Sequence, residues 1–150
     1  MSVSPEVAAI ITRKKQWYCR LADTNQWPKL LETVVLPEAK YAFYQSNGEL
    51  MNHEGVQYTW NTSADWAKFF NDLFTNLQVI HVAGPGDFEQ INPDEVKAIW
   101  GVIYHAGKKG SDTEWHHTGG GHYYETWKRK GDDWFISDLR FERTYFKPLA

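Results

Sequence analysis

Six side chains able to exchange protons or hold an oxygen crowd together near the end of the chain: His116, His117, His122, Tyr123, Tyr124 and Glu125. The pattern around them reads as a strand over 113–130, joined through Gly131-Asp132-Asp133 to a second strand over 134–145. Alternate residues of a strand point to opposite faces. Tyr123 therefore shares a face with Glu125, and His122 shares the other with Tyr124. An acid and a phenol side by side suggest a pocket built for proton chemistry. In an apolar cavity Glu125 is disfavoured as an anion, which would let it exchange a proton near neutral pH. The competing reading is a cross-strand ion pair with Arg140 or Arg143.

The histidines raise the question of a metal. Ligands must converge, but His116 and His117 are neighbours on a strand and point apart, while His116 and His122 are in phase but distant. No metal site is expected. Gly119-Gly120-Gly121 is not a phosphate loop, because no helix follows it; it is expected to bend the strand and to clear room at a cavity wall. On the preceding long strand, 96–106, Tyr104 is in phase with Trp100 and Val102. A phenol there can hold a substrate carbonyl or enolate, or simply fill the core. Cys19 has no histidine close in sequence and reads as a small buried residue rather than a nucleophile.

These groups need a scaffold, and the composition bounds it. The 150 residues make one domain, 1–150, of ordinary size, 42% hydrophobic and 23% charged, as in soluble globular proteins. Eight Trp, eight Tyr and eight Phe supply either an aromatic core or the lining of an enclosed ligand site. The net charge of −3, with no basic block, argues against nucleic acid as a partner. A single cysteine fits a reducing compartment. With neither a signal-peptide pattern at Met1–Pro5 nor an apolar run of membrane-spanning length, a cytoplasmic location is expected.

The elements follow from periodicity and punctuation. Ser4-Pro5-Glu6 opens a helix that carries Ile10, Trp17 and Leu21 on one face. Asp23-Thr24-Asn25 breaks it, and Trp27, Leu30, Leu31 and Val34 form a second helix, ended by Pro37. A strand follows over 40–45, then a Ser46-Asn47-Gly48 turn. Residues 49–58 lack a period and read as a loop over the pocket mouth. Thr62-Ser63-Ala64-Asp65 resembles a capping box for a helix with Trp66, Phe69, Phe70, Leu73 and Leu77 on one stripe. From there the pattern is all strand: 78–83, a turn at Gly84-Pro85-Gly86, 87–91, a turn at Asn92-Pro93-Asp94, then 96–106, a polar turn over 107–112, and the two strands above. Beyond Tyr145 the pattern is undetermined. Helices gathered on one side of a curved antiparallel or mixed sheet make an α+β cone with an internal cavity.

With its landmarks in this order, the chain resembles the nuclear transport factor 2-like superfamily, specifically its SnoaL-like and scytalone-dehydratase-like branch. The landmarks are Asp23-Thr24-Asn25-Gln26-Trp27 after the first helix, Val79-Ile80-His81-Val82 with Gly84 after the third, Asp94-Glu95-Val96 opening the long strand, and the span from Trp127 to Trp134. The resemblance implies a cofactor-free dehydratase, cyclase or isomerase, or a plain binding domain. It places Asp23 on the family's catalytic Asp and His81 on its catalytic His, a pair in which the carboxylate orients the imidazole for general acid–base work. Asp23 also has a plainer reading as the N-cap of the second helix, and His81 as a sheet histidine bonded to backbone. The chain departs from the pattern elsewhere. The family's tyrosine beside the Asp corresponds to Ala22. Its second His falls near Ala106, with His105 one residue away, where a slip of one residue reverses the face. A polar pair on the next strand falls near Gly121 and Tyr123. The departures point away from scytalone and toward another dehydration, cyclisation or isomerisation.

The expected function is therefore a cofactor-independent lyase or isomerase acting on an apolar oxygenated small molecule of secondary metabolism. His81 and Asp23 would move the proton, Tyr104 and Tyr123 would hold the oxygen, and Glu125 would be a second acid or base. Tyr44, Trp66, Phe70, Trp100 and His105 would contact the substrate, although Tyr41 and Tyr44 lie on opposite faces and Trp66 and Phe70 also read as core. The alternative is a non-catalytic binding or dimerisation module of the same fold. Under either reading, two copies would pair through the outer sheet face carrying His122, Tyr124 and Thr126. Side chains converging inside an open cavity separate the enzyme from the module.

Overall fold

The computed structural model describes residues 1–149. Helix α1 (Pro5–Asp23) starts where the Ser4 hydroxyl accepts the Val7 N–H at 3.2 Å, with Pro5 in the first turn. Its end is a Schellman cap. The Asn25 N–H donates to the Ala22 carbonyl at 3.1 Å and the Gln26 N–H to the Leu21 carbonyl at 2.7 Å. Asn25 takes the left-handed conformation this needs, at φ 56°, which Asn tolerates better than most residues. Asp23 thus belongs to the last turn of α1. It is not the cap of α2 (Trp27–Thr33), whose N-cap is Gln26 without a side-chain bond.

Pro37 does not end α2. The helix stops at Thr33, and the apolar run from Val34 is drawn into strand β1 (Val35–Tyr44), longer than 40–45 and parallel to the last strand. Pro37 sits where the register between these two strands shifts, between Val35 and Lys40. Buried Lys14 donates to the Thr33 carbonyl at the end of α2 and pairs with Asp133 at 2.9 Å. The segment expected to be loop contains a small hairpin, β2 (Asn52–His53) and β3 (Val56–Gln57), followed by β4 (Thr59–Trp60) pairing with β1. Helix α3 (Ser63–Phe74) begins where the Thr62 hydroxyl accepts the Asp65 N–H at 3.2 Å. Its stripe stops short of Leu77, which opens the next strand.

The remaining chain forms β5 (Leu77–Asn92), β6 (Glu95–Lys108), β7 (His116–Lys130) and β8 (Asp133–Leu149). The six-stranded sheet has the order β4-β1-β8-β7-β6-β5. Gly84-Pro85-Gly86 is a bulge rather than a turn, with the register shifting between Ala83 and Gly86. Because β5 is an edge strand, Pro85 removes no ladder bond from a central position. Strand β7 starts at His116, not 113, because Ser111 accepts the Thr113 and Glu114 N–H groups and holds that segment as a loop. The chain beyond Tyr145 continues β8 along β7. The core runs from Ile11 through Trp66 to Phe141. Trp66 stacks on Tyr41 with ring centres 4.3 Å apart. The Tyr41 hydroxyl donates to Ser63, which in turn donates to the Leu36 carbonyl at 2.5 Å. Among the described residues, no helix is long and apolar enough to cross a membrane.

Candidate active site

The cap of α1 aims Asp23 at β5. The Asp23 carboxylate accepts the backbone N–H of His81 through both oxygens at 3.1 Å, and its Oδ1 lies 2.6 Å from His81 Nδ1. A carboxylate at a helix C-terminus opposes the helix dipole, so α1 gains nothing from an acid there; the bonds to His81 hold it. With the carboxylate accepting, Nδ1 carries a hydrogen, so that in the neutral imidazole the lone pair is on Nε2. The two side chains are 14% and 12% exposed, sheltered but reachable.

His81 faces an interior cavity of about 510 Å³. Phe43 of β1, Tyr58, Phe70, Leu73 and Phe74 of α3, and Phe141 of β8 line its apolar side. Tyr104 lies across the β5–β6 ladder from His81, with ring centres 5.8 Å apart. A Cβ at Gly119 would strike the Tyr104 ring, so the glycine makes its place. Arg143 Nε donates to the Tyr104 hydroxyl at 3.2 Å, and Arg143 Nη1 to Gln45 Oε1 at 2.8 Å. Burial raises the Tyr104 phenol above its ordinary pKa, against the charge and hydrogen bond of Arg143. His117 completes the wall, its ring centre 6.1 Å from that of Tyr104 and 5.9 Å from Trp115, on which it stacks. Burial holds His117 below the usual imidazole range, with the charges of Arg143 and His116 adding to the effect. A second recess of about 550 Å³ lies behind Trp115, beside the 109–115 loop. Its His105 and His116 are exposed and, among the described residues, have no acid partner such as His81 has.

Asp23, His81 and Tyr104 are therefore brought together, with Tyr123 and Phe70 in the wall. Glu125 is not among them. It shares the inward face with Tyr123 but lies deeper, where it pairs with Lys15 and accepts Trp100 Nε1 at 2.8 Å and Trp127 Nε1 at 2.9 Å. The Lys15 ammonium sits over the rings of Tyr18 and Tyr123, 3.7 and 3.5 Å from their centres. Neither arginine considered as a partner reaches Glu125: Arg140 binds Glu142 at 2.7 Å, and Arg143 is in the cavity. Trp100 belongs to this sealed floor and Trp66 to the core, so neither lines the cavity. Tyr44 lies on the opposite face of β1, and Phe43 takes the lumen position. His105 is exposed on the outer face; Ala106 points inward instead.

Four residues of the cavity were not placed there by sequence reasoning. His117 pairs across the ladder from Ala106, bringing an imidazole close to where the resemblance put a second histidine. The signal was its odd-numbered phase, shared with Tyr123. Arg143 and Phe146 both line the cavity although their spacing puts them on opposite faces of a regular strand. The register shift between Gly120 and Gly121 reconciles them. A Cβ at Gly121 would strike the Glu142 carbonyl, so the glycine run marked the bulge. Gln45 follows the last residue of β1 and had no signal of its own.

The sequence profile of the SnoaL-like domain matches residues 6–140. A relative named probable cyclase FGR4, from Gibberella zeae, is 50% identical over 150 residues, covering 100% of this chain and 99% of its own length. A crystal structure described as a putative scytalone dehydratase from Novosphingobium aromaticivorans aligns with a TM-score of 0.77 at 12% identity, covering 95% of this chain and 87% of the other. The hexachlorocyclohexane dehydrochlorinase LinA-type3 of Novosphingobium barchaimii aligns with a TM-score of 0.75 at 19% identity, covering 95% and 89%. These two structures share the cone fold, three helices against a curved mixed sheet.

Proposed function

The chain belongs to the SnoaL-like domain family and is an enzyme of it, of the lyase, isomerase or cyclase type, and on that footing we propose a cofactor-independent proton transfer at carbon beside an oxygen function. His81 Nε2 takes a proton from the substrate and returns one to a neighbouring position. Asp23 holds the Nδ1–H tautomer and stabilises the imidazolium that forms. The Tyr104 hydroxyl, already accepting from Arg143, has its own hydrogen free for the substrate oxygen where charge develops. The aromatic wall excludes water and fixes the reacting conformer. The cyclase name of the relative supports ring closure as the outcome. An apolar, oxygenated intermediate of secondary metabolism suits the cavity. The observation that carries this reading is the carboxylate-anchored imidazole whose second nitrogen is left for an apolar cavity. The same arrangement favours the enzyme over a filled, non-catalytic module.

The test is deuterium uptake from heavy water into the hydrogens α to the carbonyl of 2-tetralone and related cyclic ketones, followed by NMR. The wild type should accelerate exchange over buffer. His81→Ala should remove about 10²–10⁴-fold of that acceleration, and Asp23→Asn should also lose most of it, with both variants folded. Acceleration retained in His81→Ala would reject the assignment. The reading also includes a homodimer across the outer face, supported by exposed Ile80, Val82, Ile103 and Tyr145. Sedimentation showing a monomer for the wild type would remove it.

A further inference from the structure

Among the described residues, Arg143 is a cation without an anion: no carboxylate pairs with it. Its Nε and Nη1 hydrogen bonds go to two neutral acceptors, Tyr104 and Gln45, and its guanidinium carbon lies 4.1 Å from the centre of the Phe146 ring. Among the described residues, no carboxylate lines the cavity. The nearby acids are committed elsewhere: Asp23 to His81, Glu125 to Lys15 and two indoles, and Glu142 to Arg140. The other titratable groups in the wall, His53, His81, His117 and the tyrosines, bring no negative charge, since an imidazole is neutral or cationic and a phenol is neutral. A guanidinium drawn into an aromatic room with only neutral partners is poorly compensated for lost hydration. Its remaining N–H groups form a planar fork suited to a two-oxygen anion.

We infer that the substrate carries a delocalised oxyanion, a carboxylate or an ionised enol, which Arg143 binds as an ion pair. This rests on the proposed reaction site and names the substrate class it takes. Tyr104 stands between Arg143 and His81, touching the first through its hydroxyl and the second through its ring. The anion is therefore a handle held apart from the reacting carbon. The ring body of the substrate lies along Tyr104, toward His81 and Phe74. Phe146 and Trp115, both partly exposed, flank the charged end of the cavity.

Calorimetric titration of the full chain with 2-naphthoate, its neutral isostere 2-naphthamide and the ionised enol 2-hydroxy-1,4-naphthoquinone tests this. Naphthoate or the enolate should bind the wild type at least about tenfold tighter than the amide, as a charge-assisted hydrogen-bonded pair requires. The preference should vanish in Arg143→Gln, with amide affinity unchanged, and persist in His81→Ala. Whichever anion shows the preference identifies the source of the oxyanion. If Arg143→Gln does not fold, added sodium chloride serves on the wild type, weakening the anion and not the amide. Equal affinities for anion and amide, a preference surviving in Arg143→Gln, or no binding of any probe would overturn the inference. Binding of these probes needs no turnover. A charge preference without deuterium exchange would sink the proposed chemistry alone, and exchange without a charge preference would sink only the oxyanion.

Discussion

Two acid–base pairs join α1 to the inner face of the sheet. His81 stands in the wall of the cavity, held by Asp23, which does not itself line it; Lys15 and Glu125 lie in the floor. The deeper pair is 0% exposed, and the carboxylate also takes the N–H groups of Trp100 and Trp127. The carboxylate is satisfied, and the ammonium is covered by two tyrosine rings. In the upper pair the carboxylate is satisfied by a backbone N–H and Nδ1, but the imidazole retains a nitrogen for the cavity. Residue type does not distinguish the two, and burial alone points to the wrong one. A functional acid or base is recognised by the hydrogen-bonding capacity its surroundings leave open.

The largest expected effect separates the pairs by folding energy. Glu125→Ala strands a buried ammonium and should lower stability by about 3–5 kcal/mol, read from denaturant midpoints. His81→Ala leaves Asp23 with the backbone N–H and partial solvent and should lower it by about 1 kcal/mol, an ordinary value for a half-buried site. Replacing the floor pair together, Lys15→Met with Glu125→Leu, should recover most of the loss, since apolar residues of similar volume often replace buried pairs without penalty. If His81→Ala unfolds more readily than Glu125→Ala, the division into a chemical pair and a structural pair is wrong.

The same contrast explains what could be read in advance. Asp23 and His81 were paired in advance through the family resemblance, whose landmarks include the Asp23-Thr24-Asn25 segment and the strand after α3, and the structure brings the two side chains together. The inward phase of Tyr104 and Tyr123 was legible because β6 and β7 hold an unbroken register from Glu95 to Gly107. Lys15 was not. Nothing in the Arg13-Lys14-Lys15 run marks one lysine for burial, and the partner of Lys15, Glu125, is 110 residues away. Without that lysine, Glu125 looked like a free acid. Arg143 and Phe146 were hidden by a bulge, which alternation cannot anticipate. Pro85 and Pro37 were read as stops because proline breaks regular elements in isolation; edge position and a register shift let β5 and β1 carry them. The cone and its helices follow from periodicity, whereas the contents of its cavity and floor depend on contacts between distant segments.

A smaller effect sharpens the upper pair through its backbone. Asn25 supplies the left-handed turn that ends α1 and fixes Asp23, and its Oδ1 accepts Trp27 Nε1 at 2.6 Å. Asn25→Ala should lower stability by about 1–2 kcal/mol, the cost of a left-handed L-residue, and should weaken exchange activity by misaligning the dyad. Asn25→Gly restores the backbone but not the bond to Trp27 and should fall between. Calorimetric melting together with the deuterium assay reads both. Full activity in Asn25→Ala would mean that the His81 bonds alone position Asp23.

The smallest effect concerns His117, and its sign reports on charge in the cavity. Burial first, then the charges of Arg143 and His116, lower its pKa in the folded protein from 6.5. Above that value the imidazole is neutral in both folded and unfolded chains, and its titration favours neither. As the pH falls below it, the unfolded chain takes up the proton first, and the fold loses stability until the lower folded value is passed. The wild type should therefore lose ground to His117→Gln as the medium is acidified through that window, seen as a widening gap in melting temperature in favour of the variant. A gap that moves the other way would mean that an acid faces His117 in solution. The cavity would then hold its own counter-charge, as the floor does, and Arg143 would have no need of an anion from the substrate.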